Sequence, residues 1–203
     1  LCLALSDGMG HGAQAAGESK KTLELLTRCL ETGFSCEQAL TTVNGMMLSA
    51  TNGEQYATVD LCVLDLWTRS ATLYKLGACA TLVVQNGSMR RVSGATLPLG
   101  ALANVLPLRQ TLTVYPGDLV LLMSDGLSDV LSSDDIERIL CQIAHENPQA
   151  LCDALLREAL AREGGMRYAM LALAVNHAAG LGPPPEAGAP PLPDQIREHL
   201  AAG

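Results

Sequence analysis

Leu1-Cys2-Leu3-Ala4-Leu5-Ser6-Asp7-Gly8-Met9-Gly10-His11-Gly12 opens the chain, and Leu119-Val120-Leu121-Leu122-Met123-Ser124-Asp125-Gly126-Leu127 repeats its plan. In both stretches an apolar run of buried-strand character ends in Ser-Asp-Gly. An aspartate at a strand end can point its oxygens into a cleft, and a following glycine lets the backbone turn its own carbonyl toward the same point. Two such ends brought together make an oxygen-rich pocket for a hard divalent cation. Either copy alone reads most simply as a turn, because Asp bonds its own backbone and Gly tolerates positive φ. The first copy, however, runs through further glycines at Gly10 and Gly12 into a helix with no returning strand. The second is followed by a helix start at Ser132-Ser133-Asp134-Asp135 before Ile136. Two strand-to-helix Ser-Asp-Gly junctions are more than turn chemistry requires.

Outward from these junctions the chain sorts into helix pairs and strands. Ala16, Leu23, Leu26 and Leu30 recur at helical spacing with charged residues between them, which predicts a helix from Ala13 to about Leu30 ended by Gly33. Ser35 is placed to cap a second helix from Cys36 to about Ala50. Strands are predicted at Tyr56–Leu66, Ala71–Leu76, Thr81–Val84, Met89–Val92, Leu108–Val114 and Leu119–Met123, with Asn86-Gly87 as a hairpin signal and Leu66-Trp67-Thr68-Arg69 as another tight connection. Helices return at Asp134–Glu146 and Pro148–Ala161, and a last strand is predicted from Tyr168 to Val175. A helix pair, many strands, a second helix pair and a closing strand fit an α+β fold, a four-layer αββα sandwich.

Composition sets the outer limits. A chain of 203 residues is long enough for one domain with a full core and short for two. Lys+Arg 13 against Asp+Glu 21 gives a net charge of -8, which argues against nucleic acid or anionic membrane as a ligand of the surface as a whole. Cys2, Cys29, Cys36, Cys62, Cys79, Cys141 and Cys152 are scattered and odd in number, as expected of small core hydrophobes in a reducing, cytoplasmic compartment. No uninterrupted apolar segment reaches the ~20 residues needed to span a bilayer. Because the chain begins inside a strand, residues 1–176 are expected to form one domain that is incomplete at its N-terminus. Residues 177–203, rich in Pro, Gly and Ala, read as a disordered tail.

Read in order, Ser-Asp-Gly-Met-Gly-His-Gly (6–12), Ala-Thr-Val-Asp (57–60), Lys75-Leu76-Gly77-Ala78, Leu97-Pro98-Leu99-Gly100, Pro116-Gly117-Asp118 and Met123-Ser124-Asp125-Gly126 resemble the phosphatase domain of the stage II sporulation protein E family. That family lies within the PP2C-type metal-dependent serine/threonine phosphatases. The resemblance covers residue 1 to about residue 175. It implies the αββα sandwich and two Mn²⁺ or Mg²⁺ ions sharing a water that attacks phosphorus. Asp7 would bridge both metals, Gly8 would supply its backbone carbonyl, and Asp125 would bind one metal; Asp7 and Asp125 are the implied catalytic residues.

The chain also departs from the family pattern. One ligand carboxylate belongs on a strand before residue 1, and another in an Asp-Asp-Met-Thr segment opening the last strand. Here that segment reads Gly164-Gly165-Met166-Arg167, so Gly165 replaces an expected Asp, and Glu163 stands two residues off. Reduced activity is the implied consequence. Arg167 reads as an exposed strand-start residue before it reads as a phosphate ligand. His11 is a packed loop histidine or a proton carrier, Asp60 an organiser of the first loop or a strand residue satisfied by backbone groups, and Lys75 structural or solvent-facing. Asp129 could touch an outer-sphere water, Asp134, Asp135, Asp153 and Glu158 read as caps and solvated faces, and Trp67 as packing.

Two functional classes follow. The first is a metal-dependent protein serine phosphatase (a hydrolase), acting by resemblance on a phosphorylated anti-anti-sigma factor in sporulation and sigma factor regulation, or in the stress-response branch of the same family. The second is a catalytically weakened module that binds such a protein partner. The resemblance leaves a homodimer open and implies a parent protein anchored in the membrane through an upstream region.

Overall fold

In the computed structural model, which describes residues 1–9, 12–51, 55–142, 147–162 and 170–174, the opening run forms strand β1 (Cys2–Leu5) and leads into helices α1 (Gly12–Glu31) and α2 (Cys36–Thr51). Strands β2 (Val59–Asp65), β3 (Ser70–Leu76), β4 (Thr81–Gln85), β5 (Ser88–Val92), β6 (Leu108–Thr113) and β7 (Leu119–Met123) follow. Helices α3 (Asp125–Val130), α4 (Ser133–Gln142) and α5 (Pro148–Arg162) then precede β8 (Met170–Ala174). The strands make two antiparallel sheets, ordered β1-β2-β3-β6 and β5-β4-β7-β8.

Alternation along each strand sets the layers, because successive side chains point to opposite faces. On β2, Val59 and Leu61 pack with Leu26, Leu40 and Val43 of α1 and α2, whereas Cys62 and Leu64 face the second sheet. On β3, Tyr74 and Leu76 point to the helices and Ala71 and Leu73 to the second sheet. From the other side, Val120 and Leu122 of β7 enter the same inter-sheet core, while Leu119, Leu121 and Met123 meet Ile136, Ile139 and Leu140 of α4 and Leu151 and Leu155 of α5. A strand covered on both faces must be apolar throughout, which accounts for the unbroken run Leu119–Met123. The result is the expected αββα sandwich.

Local chemistry sets the element ends. Ser35 and Gln38 form a reciprocal capping box on α2, with Ser35 N–H donating to Gln38 Oε1 (2.9 Å) and Gln38 N–H to Ser35 Oγ (3.2 Å). Ser132 and Asp135 do the same at the start of α4. Asn86 and Gly87 both take positive φ, 50° and 74°, as a two-residue hairpin between β4 and β5 demands. In the other tight connection, Asp65 Oδ1 accepts the N–H groups of Trp67 and Thr68.

Several expectations are corrected. Strand β2 starts at Val59 rather than Tyr56, because the preceding residues are taken up by the loop after β1: Thr58 N–H donates to the Asp7 carbonyl (2.8 Å) and Ala57 forms isolated bridges to Gly8 and Leu99. Helix α3, which the residue pattern did not disclose, begins at Asp125 itself. Trp67 sits on an exposed turn instead of in a core, and Cys141 is exposed. The tail expected at 177–203 lies outside the described residues, as do His11, Glu163, Gly165 and Arg167.

Candidate metal centre

Asp7 lies two residues beyond the end of β1 and is half-buried. Its backbone is strapped to Thr58 in both directions: Asp7 N–H donates to Thr58 Oγ1 (3.0 Å), and the Asp7 carbonyl accepts from Thr58 N–H (2.8 Å) and its hydroxyl (3.3 Å). Met9 N–H donates to the Tyr56 carbonyl (2.9 Å). The bridge between Gly8 and Ala57 is made by these flanking groups, so the carbonyl and N–H of Gly8 take no part in it. Gly8 is buried against the first turn of α1, where a Cβ would lie 2.0 Å from the Ala15 carbonyl oxygen. Only glycine fits there, and its absent side chain brings the loop onto the helix. Ser19 of α1 adds a second tie, donating from Oγ to the Ser6 carbonyl (2.7 Å).

Helix α2 reaches the same region through the loop after β5. Ala57 and Leu99 exchange two backbone hydrogen bonds (3.1 and 2.9 Å), and the buried Asn44 of α2 donates to the Leu102 and Ala103 carbonyls and accepts from Gly100 N–H. Gly8, Ala57 and Leu99 therefore form a short three-piece ladder held between both helices of one layer.

Asp125 is exposed at the first residue of α3, directly after buried Ser124. Its Oδ1 accepts Gly126 N–H (2.7 Å), which fixes the plane of the carboxylate. Just before it, the Cys79 thiol donates to the Met123 carbonyl (2.6 Å); burial raises the pKa of this thiol.

Strand register relates the two junctions. Leu5, two residues before Asp7, pairs with Asp60 of β2, and Asp60 pairs with Lys75 of β3. Lys75 Nζ lies 2.5 Å from Asp60 Oδ2 and donates to Thr81 Oγ1 (2.7 Å) at the start of β4. Strand β4 pairs with β7 through Leu82 and Leu121, which puts Thr81 beside the end of β7. Asp7 and Asp125 thus leave the two sheets at the same end of the sandwich.

Of the two readings of Lys75 the structural one holds, since Lys75 is 1% exposed and ion-paired; Asp60, also 1% exposed, differs from expectation in being bound through Oδ2 by the Lys75 and Thr81 side chains rather than by backbone groups. Burial pushes the Asp60 carboxyl up, while Lys75 and Thr81 pull it down. The signal was present in the alternation: Asp60 shares a face with Cys62 and Lys75 with Leu73, both inter-sheet residues. Asp129 lies exposed on α3. Among the described residues, no group of three or more His, Cys, Asp or Glu side chains gathers as a metal cluster. The candidate donors at the two junctions, two carboxylates and the carbonyl of a glycine buried against α1, are hard oxygens of the kind that suits a Mg²⁺- or Mn²⁺-type cation.

Comparison with known proteins identifies the family. Residues 1–175 match the family described as Stage II sporulation protein E (SpoIIE). Stage II sporulation protein E of Bacillus subtilis (strain 168) is 30% identical over 167 residues, covering 80% of this chain and 20% of that protein. The Priestia megaterium protein of the same name is 27% identical over 169 residues, 81% of this chain and 29% of that one. The chain thus spans less than a third of either relative. Among solved structures, the PP2C phosphatase domain of the Bacillus subtilis protein, with a fragment of its regulatory domain, superposes with a TM-score of 0.77 at 28% identity, over 87% of this chain and 54% of that one. The catalytic domain of the serine/threonine phosphatase PstP in complex with two manganese ions shares the fold, with a TM-score of 0.69 at 18% identity over 84% of this chain and 85% of that one.

Proposed function

Because this chain belongs to the stage II sporulation protein E family, we propose that it is a metal-dependent protein serine phosphatase of PP2C type whose substrate is a phosphorylated anti-anti-sigma factor. The observation that carries the reading is that the two Ser-Asp-Gly junctions leave separate sheets at one end of the sandwich. Asp7, the Gly8 carbonyl and Asp125 would hold Mn²⁺ or Mg²⁺ there. When bound, such cations acidify a water and take up charge on the phosphoryl oxygens. The chain's own part is placement. Thr58 and Ala15 fix the Asp7-Gly8 backbone, and Gly126 N–H orients the Asp125 carboxylate. The parent protein's membrane anchor and a homodimer remain part of the same proposal. No described helix is long and apolar enough to cross a membrane.

A second reading rests on Gly165, which stands where the family pattern carries an aspartate: a module that binds its phosphoprotein partner and turns it over slowly or not at all. One experiment addresses both. Release of phosphate from a phosphorylated anti-anti-sigma factor, and from an unrelated phosphoserine peptide, is followed with and without Mn²⁺ for the unmodified chain, Asp7→Asn, Asp125→Asn and Gly165→Asp. The phosphatase reading expects slow, Mn²⁺-dependent release that either Asn variant lowers at least about 100-fold and that Gly165→Asp raises, with the anti-anti-sigma factor preferred. Metal-independent release, or release untouched by Asp7→Asn, overturns it. Silence in every variant together with tight binding of the phosphoprotein favours the module.

A further inference from the structure

The space between the two sheets is apolar along its length, lined by Cys62, Leu64, Leu73, Val83, Val120 and Leu122, but it ends in a charge pair. Asp60, Lys75 and Thr81 continue the inward-facing rows of β2, β3 and β4, and they are 1%, 1% and 0% exposed. Their bonds close a triangle. Lys75 Nζ donates to Asp60 Oδ2 (2.5 Å) and to Thr81 Oγ1 (2.7 Å), and the Thr81 hydroxyl donates to Asp60 Oδ2 (2.7 Å). Asp60 Oδ1, equally buried, has no partner among the described residues.

Stability alone does not account for such a group. Removing two charges from water costs several kcal/mol per ion, about what their attraction returns, and well-packed apolar residues in the same place are often as stable or more so. What the triangle provides is direction. Asp60 and Lys75 belong to the sheet that carries Asp7, Thr81 to the sheet that carries Asp125, and apolar contacts between stacked sheets are non-directional. The hydrogen bonds that Thr81 accepts from Lys75 and donates to Asp60 fix the offset of one sheet against the other, at the end from which both junctions emerge.

We propose that Asp60, Lys75 and Thr81 form a positioning cluster for the metal centre, locking the spacing of the Asp7-Gly8 and Asp125 junctions across the two sheets so that cation affinity depends on three residues placed as no ligand. The proposal rests on the metal-centre reading of those junctions. Groups that orient ligands without touching the metal typically change its affinity about 10- to 100-fold when altered.

Thr81 offers the cleanest test, since valine keeps its shape and leaves the Asp60–Lys75 pair intact. Mn²⁺ affinity of the full 203-residue chain is measured by electron paramagnetic resonance titration, with thermal unfolding alongside. Thr81→Val is expected to weaken Mn²⁺ binding about 10-fold or more, and Thr81→Ser, which restores the hydroxyl, to bind within about twofold of the unmodified chain. An Asp60→Leu/Lys75→Met double variant guards against misfolding of the first. It is expected to unfold in a single cooperative transition, since the apolar pair offsets the lost ion pair even with the Thr81 hydroxyl left without those partners, and still bind Mn²⁺ weakly. Unchanged Mn²⁺ affinity in a folded Thr81→Val or in the double variant overturns the positioning role while leaving the metal centre standing. Mn²⁺ binding that Asp7→Asn and Asp125→Asn fail to weaken overturns the metal centre, and this proposal with it.

Discussion

Gly8 shows how little room the first junction has. Its missing Cβ would stand 2.0 Å from the Ala15 carbonyl oxygen, a backbone atom of a hydrogen-bonded helix that cannot swing aside as a side chain would. Gly8→Ala should therefore push the Asp7-Gly8 loop off α1 and destabilise the fold by about 1–3 kcal/mol, the usual penalty of overpacking a filled site. Urea unfolding reads the loss, and a variant as stable as the parent would mean that the loop has slack. The strand end and the turn were legible at this residue, since Asp-Gly after an apolar run is a local pattern. What fills the place of the side chain was not legible, because the contact is made by a helix beyond the loop. Lys75 teaches the same distinction. Its inward-facing place was readable from local alternation, whereas its partners, Asp60 and Thr81, arrive from two other strands.

At the scale of elements, helix α2 packs on the loop after β5 through Leu40, Val43 and Met47 and is hydrogen-bonded to it through Asn44. Asn44 is 1% exposed and satisfies three backbone groups, the carbonyls of Leu102 and Ala103 and the N–H of Gly100. Asn44→Ala leaves those groups short of partners in a buried place, where an unsatisfied polar group costs about 1–3 kcal/mol. The expected result is a loss of about that size in denaturant unfolding, with earlier hydrogen exchange at Gly100 and Leu99, the latter bonded to Ala57 and through it adjacent to Gly8. Exchange unchanged at Leu99 would show that the helix does not support the ladder. Most elements were readable from periodicity and caps, as the Ser35 and Ser132 boxes illustrate. Helix α3 escaped because six residues are too few to display a helical period. The early part of the predicted β2 failed because residues 56–58 have strand composition but pair with the Asp7 loop and Leu99 in isolated bridges.

For the molecule as a whole, the stacking of two sheets between two helix layers makes stability sensitive to alkali. Cys62 faces the inter-sheet core with no exposure, and burial, together with the charge of nearby Asp60, raises its thiol from 9.0 to about 12. Cys2 on β1 is raised from 9.0 to about 11, chiefly by burial. A group whose folded pKa lies above its unfolded value binds its proton more tightly when folded. Its stabilisation is complete below the unfolded value and is lost as pH climbs toward the folded one. Unfolding free energy should therefore be level with respect to these thiols at neutral pH and fall from about pH 9 upward, at about 1.4 kcal/mol per pH unit for each thiol ionised only in the unfolded chain. Urea midpoints at pH 7, 9 and 10.5 measure the slope. Cys62→Ala, which leaves a small cavity and lowers stability at every pH, should nonetheless lose less between pH 9 and 10.5 than the parent does. Parallel slopes for parent and variant would mean that Cys62 ionises as readily inside the sandwich as outside it, which a closed apolar layer between the sheets does not permit.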